Sequence, residues 1–95
     1  MKEVSFQAKN GFIKREIAGE ILLVPVGERT REFNGMIMLN ETGGYLWDLL
    51  AGPKTEAALL EALLQEFDVD PETAKADLQE FLNTGLQNEL ISESE

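Results

Sequence analysis

Apolar positions in this chain repeat with one period up to Leu39 and another beyond Asn40. Phe12 to Ala18 is strand-like, Gly19-Glu20 follows, and Ile21-Leu22-Leu23-Val24-Pro25-Val26 is a β-branched, apolar run. Two such runs about a two-residue turn with Gly first predict a β-hairpin of the II′ kind. Pro25 has no amide proton to give a ladder, so it belongs at a strand end or on an unpaired side. Gly27 to Gly35 is a polar connection in which Asn34-Gly35 marks a tight turn, and Met36-Ile37-Met38-Leu39 is a short third strand. A period of two sets Ile37 and Leu39 on one face of that strand and Met36 and Met38 on the other. All four are apolar, which makes this an edge strand that invites the addition of another.

From Asn40 the spacing is helical. A first helix is predicted from Glu41 to Leu50, capped by the Asn40 side chain and stopped by Gly52-Pro53. Thr55 caps a second helix whose Leu59, Leu60, Leu63, Leu64 and Phe67 share a face. Asp70-Pro71-Glu72 supplies a cap, a proline at the first helical position and an acid in the first turn. A third helix then runs to about Gln87 with Ala74, Leu78, Phe81 and Leu82 inward. Residues 1–10 show no clear period and are expected to form a loose N-terminal arm. Leu90-Ile91 is a short apolar ending, and Ser92 to Glu95 is expected to fray. Strands followed by helices give an α+β domain: a three-stranded antiparallel sheet with three helices packed on one side.

Composition narrows the chemistry. The chain has 95 residues, no Cys and no His. It has the length of one domain with a modest core, and it lacks thiolate ligands, the cysteine nucleophile and the commonest general base. An enzyme is therefore the least expected class, and no cofactor or metal site is expected. No apolar run approaches the ~20 residues of a membrane span, and no basic-then-apolar leader opens the sequence, so a soluble cytoplasmic protein without membrane contacts is expected. Residues 1–40 carry six Lys/Arg and five Asp/Glu, a net charge of +1, whereas residues 41–95 carry two and thirteen, a net charge of −11. An acidic helical half repels a phosphate backbone, which weighs against nucleic acid.

Several features have structural explanations. Trp47 and Tyr45 fit the core or its rim. Gly43-Gly44 is followed by no GKS/T sequence and suits close packing at a helix start rather than a phosphate. Asp68, Asp70 and Glu72 alternate like metal ligands but lack the glycine and terminal Glu of a calcium loop, and Asp70 is better explained as a helix cap.

Around the strand-to-helix junction the chain resembles the PqqD-like family of peptide-recognition elements for ribosomally made, modified peptides. The resemblance lies in Leu39-Asn40-Glu41-Thr42-Gly43, Leu46-Trp47, Leu50-Ala51-Gly52 and Thr55, followed by the apolar spacing of the second and third helices. It covers roughly residues 12–91. Val24-Pro25-Val26-Gly27 is separated from Leu39 by a longer polar connection than proteins dedicated to pyrroloquinoline quinone synthesis have, so the resemblance is to the broader family. The resemblance implies a winged-helix-like fold and a non-catalytic binder of precursor leader peptides. The leader would add as a strand to the third strand and be presented to a maturation enzyme, commonly a radical S-adenosylmethionine protein. The implied peptide-binding residues are Met36, Ile37, Met38 and Leu39 on the strand, with Lys75, Leu78, Gln79 and Leu82 on the third helix as the facing wall. The alternatives are a winged-helix DNA-binding regulator, which shares the topology, and a homodimeric assembly module joined through the open sheet edge. As a binder, the protein is expected to be a monomer or a weak homodimer.

Overall fold

A computed structural model describes residues 3–31 and 37–94 of the chain. Its central layer is the expected hairpin with the expected third strand beside it. Strands β2 (Phe12–Ile17) and β3 (Glu20–Pro25) pair antiparallel from Phe12↔Pro25 to Ile17↔Glu20, and β4 (Ile37–Leu39) pairs antiparallel with the other side of β3. The turn residues are thus Ala18 and Gly19, not Gly19-Glu20. Both have positive φ, 53° and 84°, the combination of a type I′ turn rather than the II′ turn predicted. Burial fixes this register: Leu23 is fully buried with Lys14 and Ile37 opposite it. A slip of one residue would turn the apolar inner face of a strand to solvent. Met36 and the Asn34-Gly35 turn lie outside the described residues, while Gly27–Arg31 forms a single 3-10 turn.

The helices start where the sequence places caps. In α1 (Glu41–Leu49), Asn40 Oδ1 accepts the Gly43 amide at 2.7 Å. In α2 (Glu56–Glu66), Thr55 Oγ1 accepts the Ala58 amide at 3.1 Å. In α3 (Pro71–Gln87), the Asp70 carboxylate accepts the Thr73 amide at 3.2 Å and its hydroxyl at 2.7 Å. These bonds hold the Asp70 carboxyl below its ordinary pKa, the Thr73 hydroxyl contributing most.

A second sheet corrects the reading of both termini. Residues 1–10 are not simply a loose arm, because Ser5–Ala8 is a strand, β1. Nor is the tail frayed throughout, because Ile91–Ser94 is a strand, β6. The two pair antiparallel from Ser5↔Ser94 to Ala8↔Ile91, and the two-residue β5 (Lys54–Thr55) pairs with the other side of β1. Neither terminal segment is strand-like enough alone; each is held by its partner and by what it buries. Phe6 and Ile91 both enter the core.

That core is built mainly from leucines. Leu23, Leu46, Leu50, Leu59, Leu63, Leu78 and Ile91 are fully buried, and each such side chain contributes about 1.5–3 kcal/mol. Trp47 meets Phe12 edge-to-face at 6.1 Å, and Tyr45 meets Phe67 similarly at 5.5 Å, so both aromatics of α1 are packing residues as expected. Gly44 lets α1 settle on β3, because a Cβ there would stand 3.0 Å from the Ile21 side chain. The chain leaves α3 through a reversal in which the Leu90 amide bonds Gly85 O at 2.8 Å and the Glu89 amide bonds Leu86 O at 3.3 Å. Glu89 occupies the left-handed position, φ 59°, that closes this kind of helix end. The reversal turns Leu90 and Ile91 back beneath the sheet and helices.

Candidate functional site

β4 is an outer strand of its sheet, in the order β2-β3-β4, and among the described residues no strand pairs with its far side. Ile37 and Leu39 are half-buried and pack on the core, whereas Met38 points away and is 64% exposed. The alternation predicted from sequence therefore holds over the described part of the strand. Beside this edge lies a cleft of about 230 Å³. One wall is β4, and the other is α3, through Asp77, Glu80, Phe81 and Thr84. Leu23, Trp47, Leu90 and Ile91 line it from the core, and Asn40, Thr42 and Gly43 line it from the start of α1.

The junction after β4 shapes that cleft locally. Asn40 ends the strand with extended backbone and caps α1 at once, so the helix begins directly beyond the strand. A Cβ on Gly43 would stand 3.5 Å from Leu39, ordinary contact, and 3.1 Å from Asn40 Oδ1. The junction is thus compact around its own cap. On the opposite side, Gly85 lets α3 pass over Ile91, since a Cβ there would collide with the Ile91 side chain. Thus α1 sits close to β4 and α3 sits close to β6 of the second sheet, and among the described residues the outer flank of β4 stays open.

The residues proposed from sequence for the facing wall lie elsewhere on α3. Leu78 and Leu82 are buried in the core and do not line the cleft. Gln79 turns to the opposite flank, where its side-chain amide lies 3.5 Å from the Glu56 carboxylate. Lys75 is exposed and falls on that same flank by helical spacing. At 100° per residue, Ala74, Leu78, Leu82 and Gly85 form the buried stripe, with Asp77, Phe81 and Thr84 on one margin and Gln79 and Leu86 on the other. Each margin carries one large apolar residue, so sequence spacing alone does not say which faces the sheet edge. Phe81 was readable as apolar and inward, but its place at the cleft depends on how α3 docks.

Chemically, the cleft offers an apolar surface, a strand edge and an acidic rim. Among the described residues its lining includes carboxylates from Asp77 and Glu80 and no Lys or Arg. Among the described residues there is no group of three or more His, Cys, Asp or Glu placed to hold a metal. No helix of the described structure is long and apolar enough to cross a membrane.

Residues 19–91 match the family model described as Coenzyme PQQ synthesis protein D (PqqD). The chain belongs to the PqqD family. It is 34% identical over 64 residues to a PqqA binding protein of Pseudomonas entomophila (strain L48), a match covering 67% of this chain and 60% of that relative. The aligned part is thus less than two thirds of the relative's length. Among solved structures, the chain resembles TbiB1, determined in complex with the TbiA(beta) leader peptide, with a TM-score of 0.68 and 23% identity. That likeness covers 90% of this chain and 94% of TbiB1, and it is one of fold. The α+β reading, with three helices and an antiparallel sheet, agrees with it, and the second sheet is the addition the structure makes.

Proposed function

We propose that this PqqD-family protein is a non-catalytic carrier of a ribosomally made precursor peptide. It binds the leader segment as an added strand on β4 and presents the remainder to a modifying enzyme of the radical S-adenosylmethionine class. The observation that carries this reading is the open edge of β4 facing α3 across an apolar cleft. The naming of one relative as a PqqA binding protein, and the leader peptide bound in the TbiB1 structure, support it. The site of action is the cytoplasm, where a ribosomal precursor is made.

Magnitudes indicate where the affinity arises. Ordering a flexible peptide costs about 2–5 kcal/mol. Backbone groups alternate in direction along a strand, so three β4 residues give an incoming strand about two to four hydrogen bonds of ~0.5–1.5 kcal/mol each. The edge alone roughly offsets the ordering. Net affinity therefore comes from an apolar side chain of the peptide entering the cleft against Phe81, Ile37 and Leu39. A double-stranded DNA partner is disfavoured, because α3 carries Glu72, Asp77 and Glu80 against the single Lys75.

The test is to label the leader region of a candidate precursor peptide, such as a short reading frame found near this protein's gene, and titrate it with the protein, following fluorescence anisotropy. Saturable binding of micromolar strength or tighter is expected. Failure to bind, or equal binding of a scrambled leader, contradicts the reading.

A further inference from the structure

We infer that the cleft selects leader peptides carrying a basic residue two positions from the apolar anchor, with Asp77 and Glu80 as the residues that set this preference. The inference rests on the peptide-binding reading above and adds the chemistry of the ligand. Asp77 and Glu80 both line the cleft and are exposed, and no described lining residue is basic. Neither makes an ion pair or side-chain hydrogen bond among the described residues, where the ion pairs are Lys9 with Glu89 and Lys14 with Asp48. Their charge is therefore not neutralised by an ion pair among the described residues.

Geometry supplies the spacing. Asp77 and Phe81 are four residues apart on α3, about 6 Å along the helix axis. A strand repeats a side chain on one face every two residues, about 6.6 Å. A peptide that follows the cleft and sets an apolar side chain against Phe81 thus brings its next same-face side chain to the level of Asp77. Glu80 adds a second carboxylate to the same margin. A lysine or arginine there keeps its charged head in water while its methylenes lie over the apolar wall. An acidic residue at that position meets two like charges in a chain whose net charge is already −10.

The experiment selects a display library of short random peptides on three proteins: the natural chain, Asp77→Lys/Glu80→Lys, and a control, Glu61→Lys/Glu66→Lys. All four substituted positions are exposed, and the control adds the same charge on α2, outside the cleft lining. Circular dichroism checks that all three are folded. The natural chain is expected to enrich Lys or Arg two positions from an apolar residue, in peptides that shift the Ile37–Leu39 amides. The Asp77→Lys/Glu80→Lys protein should lose or invert that preference and bind the natural chain's peptides more than about tenfold more weakly, whereas the control should keep it. Peptides that shift Ile37–Leu39 without a charge preference overturn the inference and leave strand addition standing. So does a preference that survives in Asp77→Lys/Glu80→Lys or vanishes equally in the control. Selected peptides that shift neither β4 nor α3 overturn both.

Discussion

The two outer strands of the same sheet carry opposite chemistry. β2 is six residues long and carries Lys14, Arg15 and Glu16 in succession, whereas the described part of β4 is Ile37-Met38-Leu39, with no charge. Lys14 reaches across to Asp48 on α1, an ion pair that ties the inner face of β2 to the helix layer. Long charged side chains along an edge discourage pairing with another chain. The described residues of β4 carry no such guard, and across the cleft from them stands α3 with Phe81 in the lining. The outer edge of β6 resembles β2 in this respect, since Ser92, Glu93 and Ser94 are polar and exposed. In the proposed function, strand addition is thus directed to one edge by what β2 and β6 carry as much as by what β4 offers.

The largest expected effect that would break this comparison lies at the cleft. Phe81→Ala removes the aromatic wall and should weaken leader binding by about tenfold or more, ~1.4 kcal/mol, measured by the same anisotropy titration. Ile17→Ala on β2, where the side chain is 51% exposed, should leave that affinity unchanged. If the two substitutions weaken binding equally, the edges are not functionally distinct.

A smaller effect concerns the guard on β2. Lys14→Ala breaks the pair with Asp48, whose side chain is 59% exposed, and should lower stability by no more than about 1 kcal/mol in urea unfolding. Leader affinity should not change. A large loss of affinity would mean that the hairpin, and not only β4, positions the peptide.

A pH-dependent effect is expected at the start of α3, the other wall. The folded-state pKa of Asp70 is lowered, so its contribution to stability is present above the ordinary carboxylate pKa and is lost as the pH falls through the lower folded value. The melting-temperature gap between the natural chain and Asp70→Ala should accordingly shrink on acidification below the usual carboxylate range. A gap that widens with acid would contradict the capping role.

Local chemistry explains which parts of this molecule were legible in its sequence. The caps at Asn40, Thr55 and Asp70 are local, and each was found where a polar residue precedes an apolar helical stripe. The alternation of Ile37, Met38 and Leu39 was readable for the same reason. β1 and β6 were missed because their pairing joins opposite ends of the chain, and Ile91–Ser94 has no strand signal of its own; the only hint was Phe6 and Ala8 two residues apart. The hairpin turn was displaced by one residue because Gly19 serves either a I′ or a II′ turn, and the choice depends on Leu23 reaching the core. The family resemblance implies Lys75, Leu78, Gln79 and Leu82 as the facing wall, but none of these lines the cleft beside β4. Leu78 and Leu82 form the core, and which margin of the helix lines the cleft depends on how α3 docks.

The most direct test of the central claim is to follow the backbone amides of the isotopically labelled protein as the natural leader peptide is added. The account predicts shifts concentrated on Ile37–Leu39 of β4 and on Asp77 to Thr84 of α3, with Phe12–Ile17 of β2 and Ile91–Ser94 of β6 beyond Ile91 little changed. Shifts concentrated instead on β2 or on the outer part of β6, with β4 unaffected, would contradict it.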